Sequence, residues 1–144
     1  MVKAIPDEYH TVQPYVIVKG AAKFIDFMTA AFGAQEKMRM GGPEGPIGHA
    51  EVQIGDSVIM LADSTDDIKP MPTTILLYME DCDAVYKQAL AAGATSEREP
   101  EDMFYGDRAA GVNDAFGNRW FIHTHIEDVS PEEMGKRQAA MAQN

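Results

Sequence analysis

What most constrains this chain is an order of elements that occurs twice. Val12–Val18 reads as a strand with Gln13, Tyr15 and Ile17 on one face, and Lys19-Gly20 breaks it. Ala21–Phe32 follows, with Phe24, Phe27, Met28, Ala31 and Phe32 at the spacing of one helical stripe. Gly33 stands where a helix ends in the left-handed conformation. Gln35–Met40, His49–Ile54 and Ser57–Asp63 read as three strands, separated by the glycine- and proline-rich loop Gly41–Gly48 and the turn Gly55-Asp56. The second half repeats the pattern. Thr73–Met79 is a strand, Asp81 caps a helix over Cys82–Ala92, and Gly93 closes it. Thr95–Glu99, Asp107–Asn113 and Asn118–His125 are the remaining strands. Gly33-Ala34 and Gly93-Ala94 fall at equivalent points of the two halves. The order predicted is therefore β-α-β-β-β twice, in modules 12–63 and 73–126, with the acidic, proline-containing linker Ser64–Pro72 between them. Outside the repeat lie a polar, loosely held arm, Met1–Thr11, and a C-terminal helix over 130–142 opened by the capping box Ser130-Pro131-Glu132-Glu133.

One such module cannot close on itself, because its helix covers one sheet face and leaves the other open. Two modules side by side predict an α+β fold: a cupped mixed sheet with helices outside and a small-molecule cavity inside. The last hairpin, Asp114–His125, sets the polarity of the second module. After the turn Phe116-Gly117-Asn118, side chains alternate along the strand. Phe121, His123 and His125 share one face, and Trp120, Ile122 and Thr124 share the other.

Composition removes several classes of function. A chain of 144 residues forms one ordinary domain or two small modules on a shared core. The net charge of −11 argues against phosphate-backbone binding and hence against a nucleic-acid partner. Cys82 is the only cysteine, which precludes an internal disulfide. No apolar run reaches membrane-spanning length and Met1–His10 has no signal-peptide pattern, so a reduced, cytoplasmic protein with no membrane partner is expected. No Gly-x-Ser-x-Gly elbow or phosphate-cradling loop is present.

Several stretches together resemble the vicinal oxygen chelate superfamily, and within it the PhnB-like, glyoxalase/bleomycin resistance branch. They are Pro14-Tyr15, Phe24–Gly33, Gly48-His49-Ala50-Glu51-Val52 with Ile54-Gly55-Asp56-Ser57, and Tyr105-Gly106-Asp107-Arg108. Asp114-Ala115-Phe116-Gly117-Asn118-Arg119-Trp120 and Thr124–Glu133 complete the set. The resemblance covers nearly the whole chain as a single glyoxalase-like domain. The chain departs from the pattern at Ala115, where the family commonly has proline, and at Tyr105, where it often has tryptophan. Metal-dependent members take ligands from the first and last strand of each module. The matching positions are Gln13, Ile59 or Met60, Thr73 or Thr74, and Phe121. None supplies imidazole, carboxylate or thiolate, so the resemblance implies neither the usual metal centre nor another cofactor here. A displaced metal site built from His49, Glu51, His123 and His125 is the alternative.

The remaining candidates are acid–base and binding groups. His123 is the leading acid–base candidate, because an unperturbed imidazole has a pKa of ~6.5, and Glu51 serves as a base if burial raises its pKa. The competing reading is that both merely bind ligand or structural water. Gln13, Tyr15, His49, Tyr78, Phe104, Tyr105 and Phe121 are candidates for a polar-aromatic ligand wall. Arg108 is a candidate anion anchor, with an ion pair to Asp107 or Asp114 as the competing reading. Cys82, inside a helical stripe, is expected to be a buried, inert thiol. The acidic stretch Glu97–Asp102 is expected to be a solvated loop. The function expected is a glyoxalase-like protein that binds a small organic molecule, with metal-independent lyase or isomerase-type chemistry. A drug-sequestering binder and a divalent-metal-dependent lyase or dioxygenase are the alternatives. The open cup and its exposed sheet edges lead to an expected homodimer.

Overall fold

The computed structural model describes residues 1–142. The elements are β1 (Tyr15–Val18), α1 (Ala21–Phe32), β2 (Gln35–Gly41), β3 (Ile47–Ile54), β4 (Ser57–Asp63), β5 (Thr74–Tyr78), α2 (Cys82–Ala91), β6 (Thr95–Asp102), β7 (Asp107–Asn113), β8 (Arg119–His125) and α3 (Pro131–Ala142). They form two four-stranded mixed sheets, ordered β1-β4-β3-β2 and β5-β8-β7-β6. In each, the first strand of the module runs parallel to its last, and the other pairings are antiparallel. The repeated βαβββ order is thus a repeated topology. No helix among the described residues is long and apolar enough to cross a membrane.

Local chemistry fixes the helix ends. Gly20 ahead of α1 offers no side-chain cap, so Asp63 at the end of β4 caps it instead. Its Oδ1 accepts the N–H groups of Gly20 at 3.0 Å and Ala21 at 2.8 Å, and its Oδ2 accepts that of Ile47 at 2.7 Å. Burial alone would raise the Asp63 carboxyl; these three N–H donors hold it below its ordinary value. Gly33 closes α1 at φ 69°, with its own N–H on Thr29 and that of Ala34 on Met28. In the second module Asp81 accepts the Ala84 N–H at 3.1 Å.

The core is shared. α1 and α2 pack on one another, and each packs on its own sheet. Trp120 of β8 is fully buried against α1, with ring centroids 4.7 Å from Phe32, 6.3 Å from Phe24 and 6.5 Å from Phe27. Its indole N–H donates to Asp114 at 2.8 Å. Asp114 also accepts the Phe116 and Asn118 N–H groups, and Asn118 in turn accepts that of Thr73. The turn ahead of β8 is therefore pinned both to the core tryptophan and to the start of β5. Cys82 is buried at the start of α2, where its thiol donates to the Ile122 carbonyl at 3.2 Å. Burial, with Asp83 adding to it, pushes this thiol up to about 11, so it is inert.

Three segments differ from expectation. β1 begins at Tyr15, which leaves Gln13 ahead of the sheet. β6 extends to Asp102 and absorbs the whole of the acidic stretch Glu97–Asp102 expected to be a solvated loop. Pro100, which has no N–H for the ladder, lies in the register shift between Arg98 and Glu101, and β6 is an edge strand that tolerates it. The N-terminal arm, expected to be loose, lies against the first sheet with the Tyr9 phenol hydrogen-bonded to Glu51.

Candidate functional site

The open face of the second sheet has an internal order that comes from its register. Arg98, Gly111, Phe121 and Leu76 stand opposite one another across β6, β7, β8 and β5. Two residues along, Glu101, Ala109, His123 and Tyr78 form the next row. In its middle, strand β7 thus places the small Ala109 and Gly111 on this face, between Asp107 and Asn113 at its ends, while larger side chains flank it. A cavity of about 570 Å³ results, lined by Leu76, Glu97, Arg98, Tyr105, Ala109, Ala110, Phe121 and His123.

His123 is 6% exposed, and Asp107 holds its ring. Nδ1 lies 2.9 Å from Asp107 Oδ2, and the other Asp107 oxygen takes His125 Nδ1 at 2.8 Å. Burial would raise the Asp107 carboxyl, but the hydrogen bonds from His123 and His125 outweigh it and keep the group below its ordinary value. A carboxylate at Nδ1 assigns the proton to that nitrogen, which leaves Nε2 with its lone pair. Among the described residues no fully buried side-chain nitrogen or oxygen lacks a partner. Nε2 makes no hydrogen bond among the described residues, so it is not fully buried, and His123 lines the cavity. Around the imidazole stand Tyr105, stacked at 6.2 Å, and Tyr78 and Phe121, edge-on at 6.0 and 6.4 Å. Burial, with the nearby Asp107, pushes the Tyr105 phenol up, so it remains a donor at neutral pH. His125 lies between Asp128 and Asp107, and those two carboxylates raise its pKa.

The open face of the first sheet carries a second polar cluster. Glu51, 5% exposed, accepts the Tyr9 hydroxyl at one oxygen and His49 Nε2 at the other, the latter at 2.8 Å. His49 Nδ1 accepts the Tyr15 hydroxyl at 2.9 Å. Burial opposes ionisation of Glu51, yet the Tyr9 and His49 hydrogen bonds bring its pKa below the ordinary carboxylate value. The raised base expected from burial alone is therefore not found. Lys37 sits 5.1 Å above the Tyr9 ring and pairs with Glu8 at 2.9 Å, which fastens the arm. A cavity of about 490 Å³ between arm and sheet is lined by Ile5, Pro6, Tyr9, Gln13, Glu51 and Met60, among others.

The expected residues thus fall into two groups. Tyr15, His49, Glu51 and Gln13 belong to the first face; Tyr78, Tyr105, Phe121 and His123 belong to the second. Phe104 packs edge-on against Tyr105 at 5.3 Å but does not line the cavity. Arg108 does not join either group. It stands on β7 opposite Thr124, turned to the helix side, where it pairs with Asp83 at 2.6 Å and Asp102 at 2.9 Å. A cavity of about 550 Å³ lies where the modules meet, between Pro14, Ile59, Ile75 and their neighbours, and it includes neither Glu51 nor His123. Two functional candidates escaped the sequence reading. Arg98 stood where the expected strand Thr95–Glu99 overlaps the acidic stretch Glu97–Asp102 and was not singled out, and Tyr9 lay in an arm read as loose.

The register also settles the positions that the resemblance assigns to metal ligands. Met60, opposite Glu51, lies on the open face, and Ile59 is in the core. Thr74 shares the face of Leu76 and Tyr78. The Gln13 carboxamide is engaged by the His10 N–H and the Val58 carbonyl. Gln, Met, Thr and Phe do not fit a divalent cation. Among the described residues no three His, Cys, Asp or Glu side chains are grouped to hold one.

Comparison with known proteins agrees with this geometry. At 37% identity over 140 residues the chain is similar to Rv0887c of Mycobacterium tuberculosis, with 90% of this chain and 81% of that one covered. Among solved structures it is similar to TioX from Micromonospora sp. ML1, with a TM-score of 0.67 at 20% identity over 80% of this chain and 99% of that one. The PhnB protein from Bacillus cereus gives 0.61 at 16% identity, again over 80% and 99%. At these identities the structural likenesses speak for the fold alone. The sequence model of the Glyoxalase/Bleomycin resistance protein/Dioxygenase superfamily matches residues 9–122, and with two βαβββ sheets on a common helical core the chain belongs to that superfamily.

Proposed function

We propose that this protein binds a small organic molecule over the β7 floor and moves a proton on it through His123, without a metal ion, in lyase or isomerase-type chemistry. The observation that carries this reading is the Asp107–His123 pair, whose imidazole lines the cavity with Nε2 free. Asp107 fixes the tautomer and stabilises the imidazolium when Nε2 takes a proton from an acidic C–H or O–H of the bound molecule. The same nitrogen then returns the proton at a neighbouring atom or to a leaving group. Tyr105 supplies a neutral hydroxyl donor beside it. A drug-sequestering binder would need only the aromatic wall; the buried, oriented acid–base pair favours catalysis. The test is His123→Ala. Binding or turnover of a ligand found by screening should fall by at least about tenfold, the equivalent of ~1.4 kcal/mol, with little change in thermal stability. Unchanged binding and turnover would remove the acid–base reading.

The protein is further proposed to be a homodimer. Tyr15, Leu76 and Tyr78 are 48%, 43% and 68% exposed on the two open faces, a large apolar surface for a lone chain. A second copy would cover these faces and bring a Glu51 cluster towards a His123 cluster. Sedimentation should report about twice the chain mass of 15.8 kDa at micromolar concentration; the single-chain mass up to high micromolar would overturn this.

A further inference from the structure

We propose that the cavity over β7 is built for a small aromatic carboxylate, with its carboxylate on Arg98 and its ring over Ala109, between Tyr105 and Phe121. This rests on the small-molecule reading above and adds the charge and shape of the ligand.

Charge is the first argument. The chain has five arginines. Arg39, Arg108, Arg119 and Arg137 each hold a carboxylate of the chain itself. Arg98 has no carboxylate partner within ion-pair distance among the described residues, and its one hydrogen-bond acceptor is the Met103 sulfur at 3.7 Å. Thioether sulfur is a weak acceptor, whereas the planar guanidinium fork matches a carboxylate through two parallel hydrogen bonds. Glu97, also on the cavity wall, is neutralised by Arg119 at 2.9 Å, so it does not claim Arg98 or repel an incoming anion unopposed.

Shape is the second. Arg98 and Phe121 face each other across Gly111, on strands two spacings apart, or about 10 Å. With no side chain at Gly111, the Phe121 ring and the Glu97 carboxylate close over the strand, 3.4 and 3.6 Å from where a Cβ would stand, and the cavity opens beside them over Ala109. Phe121 and Tyr105 offer aromatic surfaces to a planar group, and a ring lying there presents its substituents to His123 Nε2, opposite Ala109 on the same face. The volume suits a ligand of one or two rings.

The experiment titrates the full chain with 2-naphthoate and with the neutral 2-naphthalenemethanol, followed by calorimetry and backbone amide NMR shifts. The naphthoate is expected to bind at least about tenfold more tightly, with shifts at Ala109, Phe121 and His123. Arg98→Gln alters an exposed side chain, leaves the fold intact, and should abolish that preference. Ala109→Leu should block both compounds, since the larger side chain would fill the cavity from its floor. Equal affinity for acid and alcohol, or a preference that survives Arg98→Gln, would overturn the carboxylate assignment while shifts on β7 and β8 leave the cavity reading standing. Absence of binding and shifts with both probes would overturn the assignment, and loss of the cavity as a binding site in a wider screen would overturn the reading beneath it.

Discussion

The two open faces share one topology and differ in what their own chain leaves free. On the first sheet both Glu51 oxygens, both His49 nitrogens and the Gln13 carboxamide are used by neighbours, and the arm with Tyr9 lies across them. On the second, Asp107 is equally consumed by His123 and His125, yet His123 Nε2 and the Arg98 guanidinium remain open on a cavity floored by Ala109. A ligand on the first face must first replace hydrogen bonds, each worth about 0.5–1.5 kcal/mol net; on the second it fills vacant ones. The duplicated scaffold thus supplies two surfaces, and satisfaction of polar groups, more than architecture, distinguishes them as recognition sites.

The largest effect on this comparison should come from beneath both faces. Trp120→Ala removes the aromatic that joins β8 to α1 and should cost roughly 3–5 kcal/mol in denaturant unfolding, with both faces disturbed together. If it left stability unchanged, the shared core would be misassigned. Glu51→Ala should cost about 1–3 kcal/mol, because it strands the Tyr9 hydroxyl and His49, while a ligand over β7 is still bound by the isolated chain. Loss of that binding without loss of stability would make the first face part of the same site. His123→Ala should show the reverse pattern, with binding or turnover reduced by about tenfold or more, ~1.4 kcal/mol, and an unchanged melt.

The smallest effect is the pH dependence of the second face. Asp128 first, and Asp107 after it, raise the pKa of His125. Its contribution to stability is therefore complete below the unfolded value near ~6.5 and is lost as pH rises through the folded one. Asp107 is lowered, so its contribution is present above the unfolded value near ~3.9 and is lost as pH falls through the folded one. Denaturation midpoints of wild type and His125→Gln should differ at pH 5.5 and converge by pH 8.5. Because the His125 side chain is half exposed, solvent screens the pair and the difference should be small. A gap that widens at the higher pH would contradict the pairing.

Much of this molecule was decided by the sequence alone, because the deciding interactions are local. Helical spacing in Phe24–Phe32, the Gly33 and Gly93 closures and the two-residue alternation of β8 are short-range properties. They sufficed to give the element order and the fold, and to set Trp120 and His123 on opposite faces. Tertiary structure decided which polar groups are free. Arg108 was a candidate anion anchor, with an ion pair to Asp107 or Asp114 as the competing reading; it does form an ion pair, but with Asp83 on α2. Arg98 reaches the cavity because the register shift around Pro100 determines which β6 residues stand opposite β7. Tyr9 reaches Glu51 only because the arm folds back over a sheet formed later in the chain. Alternation says which residues share a face. Whether a donor on that face is already bonded depends on a residue distant in sequence, and only the folded chain brings the two together.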